Sequence, residues 1–127
     1  MSLIDPAELA SATLEDLSTL LDTADLVGSV AYAAAWQGRC SVRGVSHRHG
    51  AHHNVAGRLL QRLGDALTSV EYASEREAAG RVPNTPSERA TRLSMLAVPT
   101  IDNDDPDVIA AFSRELAEHA EAEREGR

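Results

Sequence analysis

The sequence predicts an all-α protein, a compact antiparallel bundle of four to five helices built around a long central hairpin. Three observations carry this prediction. Apolar residues recur at spacings of three and four in separate segments, the period of a helix with one buried stripe. Acid-proline or threonine-proline pairs open three of those segments, as expected at a helix N-terminus. No segment alternates apolar and polar residues over a useful length, and the β-branched residues between 35 and 45 are interrupted by glycine and arginine.

The elements follow in order. Asp5-Pro6-Ala7-Glu8 supplies an N-cap acid, a first-turn proline and a capping-box glutamate for a short first helix. Thr13-Leu14-Glu15-Asp16 repeats the pattern and opens a longer one. Its stripe is Leu14, Leu17, Leu21, Ala24, Gly28, Ala31 and Ala35, and Gly38 is a fitting stop. The small residues late in this stripe let another helix approach closely. Residues 39–53 have no period and read as a loop containing Gly44 and Gly50. A second long helix is expected from Asn54 to Ala79, with Val55, Leu59, Leu63, Leu67, Val70 and Ala73 on one face, closed by Gly80, Pro83 and Pro86. Thr85-Pro86-Ser87-Glu88 starts a helix carrying Leu93, Leu96 and Ala97 that is expected to end before Pro99, because a proline lacks the N–H that continues the ladder. Asp105-Pro106-Asp107 starts the last, with a stripe of Ile109, Phe112, Leu116, His119 and Ala120 and a charged tail, 121–127, expected to fray. Short connections between such helices give bundle geometry.

The 127 residues suit one domain, 1–127, large enough for a core without a disulfide or cofactor. Cys40 is the single cysteine, so neither an intrachain disulfide nor a thiol metal cluster can form, and it reads as a small buried thiol. Lysine is absent and all twelve bases are arginines, which excludes Schiff-base and P-loop-lysine chemistry. The net charge of −8 disfavours non-specific binding to nucleic acid or anionic membrane. There is no apolar run of about 18–20 residues and no positively charged, apolar N-terminus, so the expected setting is cytoplasmic. The four aromatics, Tyr32, Trp36, Tyr72 and Phe112, leave a leucine and alanine core.

Charge is unevenly distributed. Residues 1–25 hold six acids and no base; 26–64 hold five arginines (Arg39, Arg43, Arg48, Arg58, Arg62), four histidines and no acid; 65–127 hold fourteen acids and seven arginines. Three arrangements account for this. Acidic helices on either side neutralise the arginines internally; or the arginines present forked donors to an anionic ligand or acidic partner; or the basic middle of one chain meets the acidic arm of another.

The string Ser46-His47-Arg48-His49-Gly50-Ala51-His52-His53-Asn54 lies inside the basic stretch. Four imidazoles within seven residues admit a divalent transition metal at His47, His49, His52 and His53, although the spacing matches no zinc finger and no His-Glu-x-x-His pattern. A pH-responsive loop beside an interface, or a solvated loop, fits the same residues. His119, one turn after Glu115, sits at the edge of the last stripe, and the chain lacks the paired Glu-x-x-His helices of carboxylate-bridged dimetal bundles.

Phosphate-cradling glycine motifs and the Gly-x-Ser-x-Gly elbow are absent, and no residue can be assigned a catalytic role. A helix-turn-helix reading of Asn54 to Arg62 is weakened by the fifteen-residue loop that stands where a tight turn belongs. Ala33-Ala34-Ala35-Trp36-Gln37-Gly38, between two long helices, resembles the Trp-x-Gly turn of the small secreted helical-hairpin proteins of actinobacterial type. That family has a tight turn and a Tyr-x-x-x-acid signal after the second helix. Here the loop is long, Arg76 stands four residues after Tyr72, and two more helices follow, so the chain is not assigned to it.

The favoured reading is a non-catalytic helical interaction module that self-associates through an Arg/His-rich central loop and helix start, with Trp36, Arg39, Arg43, Arg48, Arg58 and Arg62 on the contact surface. A small-molecule or metal-binding bundle, with Trp36 and the histidines lining a pocket and an enzymatic role left open, is the first alternative. A regulator contacting nucleic acid through Arg39 to Arg62 ranks third. An acidic protein or a small anionic ligand is the partner chemistry the arginines suit; no cofactor is called for.

Overall fold

Each helix begins where a short polar side chain can accept hydrogen bonds from the first unpaired backbone N–H groups, which otherwise have no partner. A computed structural model describes residues 3–42 and 52–126, and is 81% helical. The elements are α1 (Pro6–Ser11), α2 (Leu14–Ala35), a 3₁₀ turn (Gly38–Cys40), α3 (Val55–Ala79), α4 (Pro86–Asp102) and α5 (Pro106–Glu125). Asp5 caps α1 at Ala7 N, and Thr13 and Asp16 form a reciprocal capping box on α2. Asn54 caps α3, Thr85 caps α4, and Asp105 accepts from Asp107 N and Val108 N to cap α5. The described residues contain no strand, and the all-α bundle expected from the sequence is the fold observed.

Helices α2 and α3 run antiparallel in close contact. The buried row on α2 is Leu14, Leu17, Ala24, Gly28, Ala31 and Ala35, the stripe read from the sequence. The matching row on α3 begins with two glycines seven residues apart, Gly57 and Gly64, and continues through Ser74 and Ala78. At Gly64 an added Cβ would lie 2.5 Å from the Tyr32 ring, and at Gly57 it would lie 2.4 Å from the Cys40 carbonyl oxygen. Gly64 thus makes room for the Tyr32 ring of α2 and Gly57 for the Cys40 backbone of the 3₁₀ turn, and Tyr32 crosses over Gly64 to donate its hydroxyl hydrogen bond to Asp65 at 2.6 Å.

This seam corrects one sequence expectation. Val55, Leu59 and Leu63 were placed on the core face of α3 with Leu67 and Val70, yet all three are exposed. The seam passes through the glycine row instead, about 100° or more around the helix from Leu59 and Leu63, because only residues without a side chain permit the approach.

The core lies toward the end of the hairpin away from the 36–54 connection. Leu9 of α1, Leu14 and Leu17 of α2, Ala78 of α3 and Met95 of α4 form its buried centre, with Ile4, Leu20, Leu21, Ala73 and Leu96 packed around it. Two arginines tie this end together by satisfying helix C-terminal carbonyls, which cations suit. Arg81 donates through Nη2 to the Leu9 and Ala10 carbonyls and pairs with Glu77. Arg92 donates to the Ala78 and Ala79 carbonyls and pairs with Glu115 of α5.

A second correction concerns α4, which continues through Pro99 to Asp102. Pro99 removes only its own bond to the Met95 carbonyl, and its own carbonyl still accepts from Asn103 N at 3.1 Å, so the last turn closes. No residue of α5 is buried: its stripe rests on α4, leaving Leu116 and Val108 exposed and Ile109 and Phe112 half-buried.

We expect Gly64→Ala to cost roughly 1–3 kcal/mol, as overpacking does, even though alanine gains about 1 kcal/mol in helix propensity. The clash is with an aromatic ring held by its hydroxyl, so Gly64→Ala combined with Tyr32→Ala should cost less than the two single changes summed. Urea melts of the four proteins in the cycle measure this; strict additivity contradicts the packing described.

Candidate functional site

Backbone hydrogen bonds close the neck of the connection between α2 and α3. Val42 N donates to the His52 carbonyl at 2.8 Å, Asn54 N donates to the Cys40 carbonyl at 2.9 Å, and Ser41 opposes His53 in an isolated antiparallel bridge. Asn54 is the fastener. Its Oδ1 accepts from Gly57 N, while its Nδ2 donates to the Arg39 carbonyl at 2.8 Å and the Ser41 carbonyl at 3.4 Å. One side chain thus caps α3 and holds both sides of the neck. Nothing in the local sequence marks Asn54 beyond its cap role.

Trp36, half exposed, stands edge-on to His53 with ring centroids 5.1 Å apart and planes at 67°. The two His53 ring nitrogens are cut off from solvent and have no hydrogen-bond partner. A neutral imidazole carries one N–H, so at least one buried donor goes unmet, at a cost of about 1–3 kcal/mol. His52 is exposed and Cys40 is a buried free thiol. Arg43, His47, Arg48 and His49 lie outside the described residues. Among those described, no three His, Cys, Asp or Glu side chains come together to hold a metal ion. His119 is separate, beside Pro83 and Arg89, and the Glu115 carboxylate is engaged by Arg92.

Three arginines of the basic stretch bear on one of the three arrangements the charge map allows, internal neutralisation. Arg39, Arg58 and Arg62 make no ion pair with an acid among the described residues; the pairs there are Arg81 with Glu77, Arg92 with Glu115 and Arg124 with Glu121. Arg58 donates to the His53 carbonyl at 3.1 Å and nothing else is recorded for its guanidinium. Internal neutralisation by the neighbouring acidic helices does not occur at these three positions. The acids at the other end of the hairpin face one another instead. Burial first, then Asp25 opposite it, raises the pKa of the Glu71 carboxyl, and burial raises that of Glu75 one turn on.

An apolar surface accompanies the unpaired arginines. Tyr32 and Asp65 meet on one edge of the α2–α3 seam. At 100° per residue, Val27 and Val30 lie on the opposite edge of α2, and Leu59 and Leu63 on the opposite edge of α3, so all four share one face of the hairpin. Leu26 extends the face outward. Leu26 is 66% exposed, Val30 60% and Leu59 63%, with Val27 and Leu63 also exposed. Leu9 of α1 lies beside Val70 and Ala73 farther along the hairpin, while this half is uncovered. Sequence periodicity places Leu59 and Leu63 on a core face and leaves Leu26, Val27 and Val30 off the α2 stripe without a role, so the shared face escapes it. The available signal was the charge-free run 26–38 on a helix that elsewhere carries four acids.

Compared with protein-family models, with curated proteins and with solved structures, the chain has no match in any of the three. No helix among the described residues is long and apolar enough to cross a membrane.

The raised carboxyls set a pH dependence. Glu71 and Glu75 hold their protons to higher pH in the folded chain than in the unfolded one. Their contribution to stability is therefore full below the ordinary glutamate pKa and is lost as pH rises through the raised folded values. Glu71→Gln should stabilise the protein at neutral pH, and its advantage should shrink as acidification protonates the wild-type carboxyl. Urea melts of both proteins at several pH values between 4 and 7 test this; an advantage that does not vary with pH contradicts it.

Proposed function

We propose that the protein is a non-catalytic helical interaction module that self-associates through the apolar face at the tip of the α2–α3 hairpin. The observation that carries this reading is the exposure of Leu26, Val27, Val30, Leu59 and Leu63 on one uncharged face; Arg58 and Arg62 stand on the same turns of α3, toward the Asp65 edge. Large apolar side chains grouped on one face are the usual mark of a surface that is covered in the working state.

Charge favours a second copy of the chain as the occupant. The tip half of the hairpin carries Arg39, Arg58 and Arg62, without a carboxylate partner among the described residues. The other half carries Glu15, Asp16, Asp22, Asp25, Glu71, Glu75 and Glu77 against the single base Arg76, while Asp65 is the one acid on the tip half of the two helices. Two copies laid face to face and antiparallel about a two-fold axis bring each basic tip alongside the acidic half of its partner. An isologous contact of this kind repeats the same favourable pairing twice. Parallel stacking would set arginine against arginine and acid against acid.

The double variant Leu26→Glu/Val30→Glu replaces two exposed side chains and should keep its helical circular dichroism. Wild type should elute with twice the 13.6 kDa chain mass in size-exclusion chromatography with light scattering, and the variant as a monomer. Raising the salt concentration should weaken the wild-type dimer, since exposed charge pairs are screened within about 10 Å at 0.1 M. A wild-type monomer across the micromolar range, or a dimer unchanged in the double variant, overturns the proposal.

A further inference from the structure

A second feature lies at the opposite end of the molecule and is independent of the hairpin tip. Helix α5 rests on α4 but not on α3, and the space left between α3 and α5 is a cleft of about 360 Å³, floored by α4. That size falls within the range of small-molecule pockets, about 300–1,000 Å³. Its walls are largely apolar: Ala79 from α3, Leu96 and Pro99 from α4, and Val108, Ala111 and Phe112 from α5.

The polar groups that border it are few and differ in their engagement. Thr100 borders the cleft and is 7% exposed as a residue, and its hydroxyl makes no bond to the Leu96 carbonyl. A threonine in a helix commonly satisfies itself on the carbonyl four residues back, as Thr68 does on Gly64 here. Left open to the cleft, the Thr100 hydroxyl is available to a ligand as well as to water. Asn103, an exposed residue, also borders the cleft. Of the charged groups, Glu115 is held by Arg92, whose other donors go to the Ala78 and Ala79 carbonyls. Glu75 is pushed by burial toward its neutral form. Arg76 is the cation at the rim without a carboxylate within ion-pair distance among the described residues.

We infer that the α3–α4–α5 cleft binds a small amphiphilic carboxylate, its apolar body against Leu96, Pro99 and Phe112 and its carboxylate on Arg76, with Thr100 and Asn103 as further hydrogen-bond donors. An apolar slot with one forked cation at its edge selects this class. A purely apolar ligand leaves the guanidinium and both neutral donors unused, and a small inorganic anion leaves the apolar walls wet.

The probes are decanoate and, as its uncharged counterpart, decanol, titrated below aggregation into the isotopically labelled full chain and followed by amide chemical shifts. Decanoate should saturate and shift the amides of Ala79, Thr100, Asn103 and Ala111. Arg76→Gln should weaken decanoate about tenfold, the equivalent of about 1.4 kcal/mol, and leave decanol within about twofold. Ala111→Trp, at an exposed position on α5 that faces the cleft, should abolish the binding of both while the protein keeps its fold. Absence of saturable shifts at these amides overturns the inference, as does equal binding of decanoate to wild type and Arg76→Gln, or shifts confined to Leu26, Val30 and Leu59. Since no variant touches the hairpin tip, failure here leaves the self-association reading intact.

Discussion

The room that Gly57 and Gly64 leave for the Cys40 backbone and the Tyr32 ring is the constraint on which the rest of this structure depends. Glycine inside a helix costs about 1 kcal/mol relative to alanine, so two in one row need a compensating contact. That contact is the passage of Tyr32 over Gly64 and of the Cys40 backbone over Gly57. Once the seam runs through residues with no side chain, the leucines of the same helix cannot also lie in it. Leu59 and Leu63 are turned out to one side, beside Val27 and Val30 of α2. The exposed apolar face is therefore a geometric consequence of the glycine seam, and the two features belong to one design.

The same separation governs the charges. Salt bridges between exposed groups contribute little individually, typically up to about 1 kcal/mol, so local pairing need not have dictated where the arginines sit. At the hairpin tip the described arginines are in no ion pair with an acid among the described residues, and at the opposite end acids accumulate until Glu71 and Asp25 oppose each other. Repulsion of that kind destabilises a monomer slightly. In the antiparallel pair proposed above, it would give a larger electrostatic gain than an evenly mixed surface would.

Much of the fold was legible because helix signals are local. Asp5-Pro6, Thr13 with Asp16, Thr85-Pro86 and Asp105-Pro106 each place a start that the structure has, and the α2 stripe from Leu14 to Ala35 is its buried row. What failed was any inference that needed to know which neighbour a helix meets. The expected α3 stripe holds at Val70, which is buried, and at Ala73, which packs on the core, but fails at Val55, Leu59 and Leu63, where the buried row runs through Gly57 and Gly64 instead. Pro99 was read as a stop, but a proline in the last turns of a helix removes a single bond and the turn can still close on its carbonyl. The candidate surface was half legible: the basic stretch marked Trp36, Arg39, Arg58 and Arg62, while the apolar face beside them escaped a pattern that puts Leu59 and Leu63 on a core face and leaves Leu26, Val27 and Val30 off the α2 stripe.

Arginines outside the tip show why the polarity of the molecule survives folding. Arg81 and Arg92 lie among the acids of the C-terminal half, and neutralising carboxylates would be their expected task. Each instead divides its donors between one carboxylate and two backbone carbonyls at a helix C-terminus, where the partial negative charge of the peptide dipoles gathers. A guanidinium can serve both because its donors form a rigid planar fork: Arg81 reaches Glu77 through Nε and both carbonyls through Nη2, while Arg92 reaches its two carbonyls through Nε and Nη2 and Glu115 through Nη1. Closing the C-termini of α1 and α3 in this way fixes the core end of the bundle. It also leaves most of the acids of that half without a counter-charge, and the electric asymmetry between the two ends is thereby carried into the folded chain.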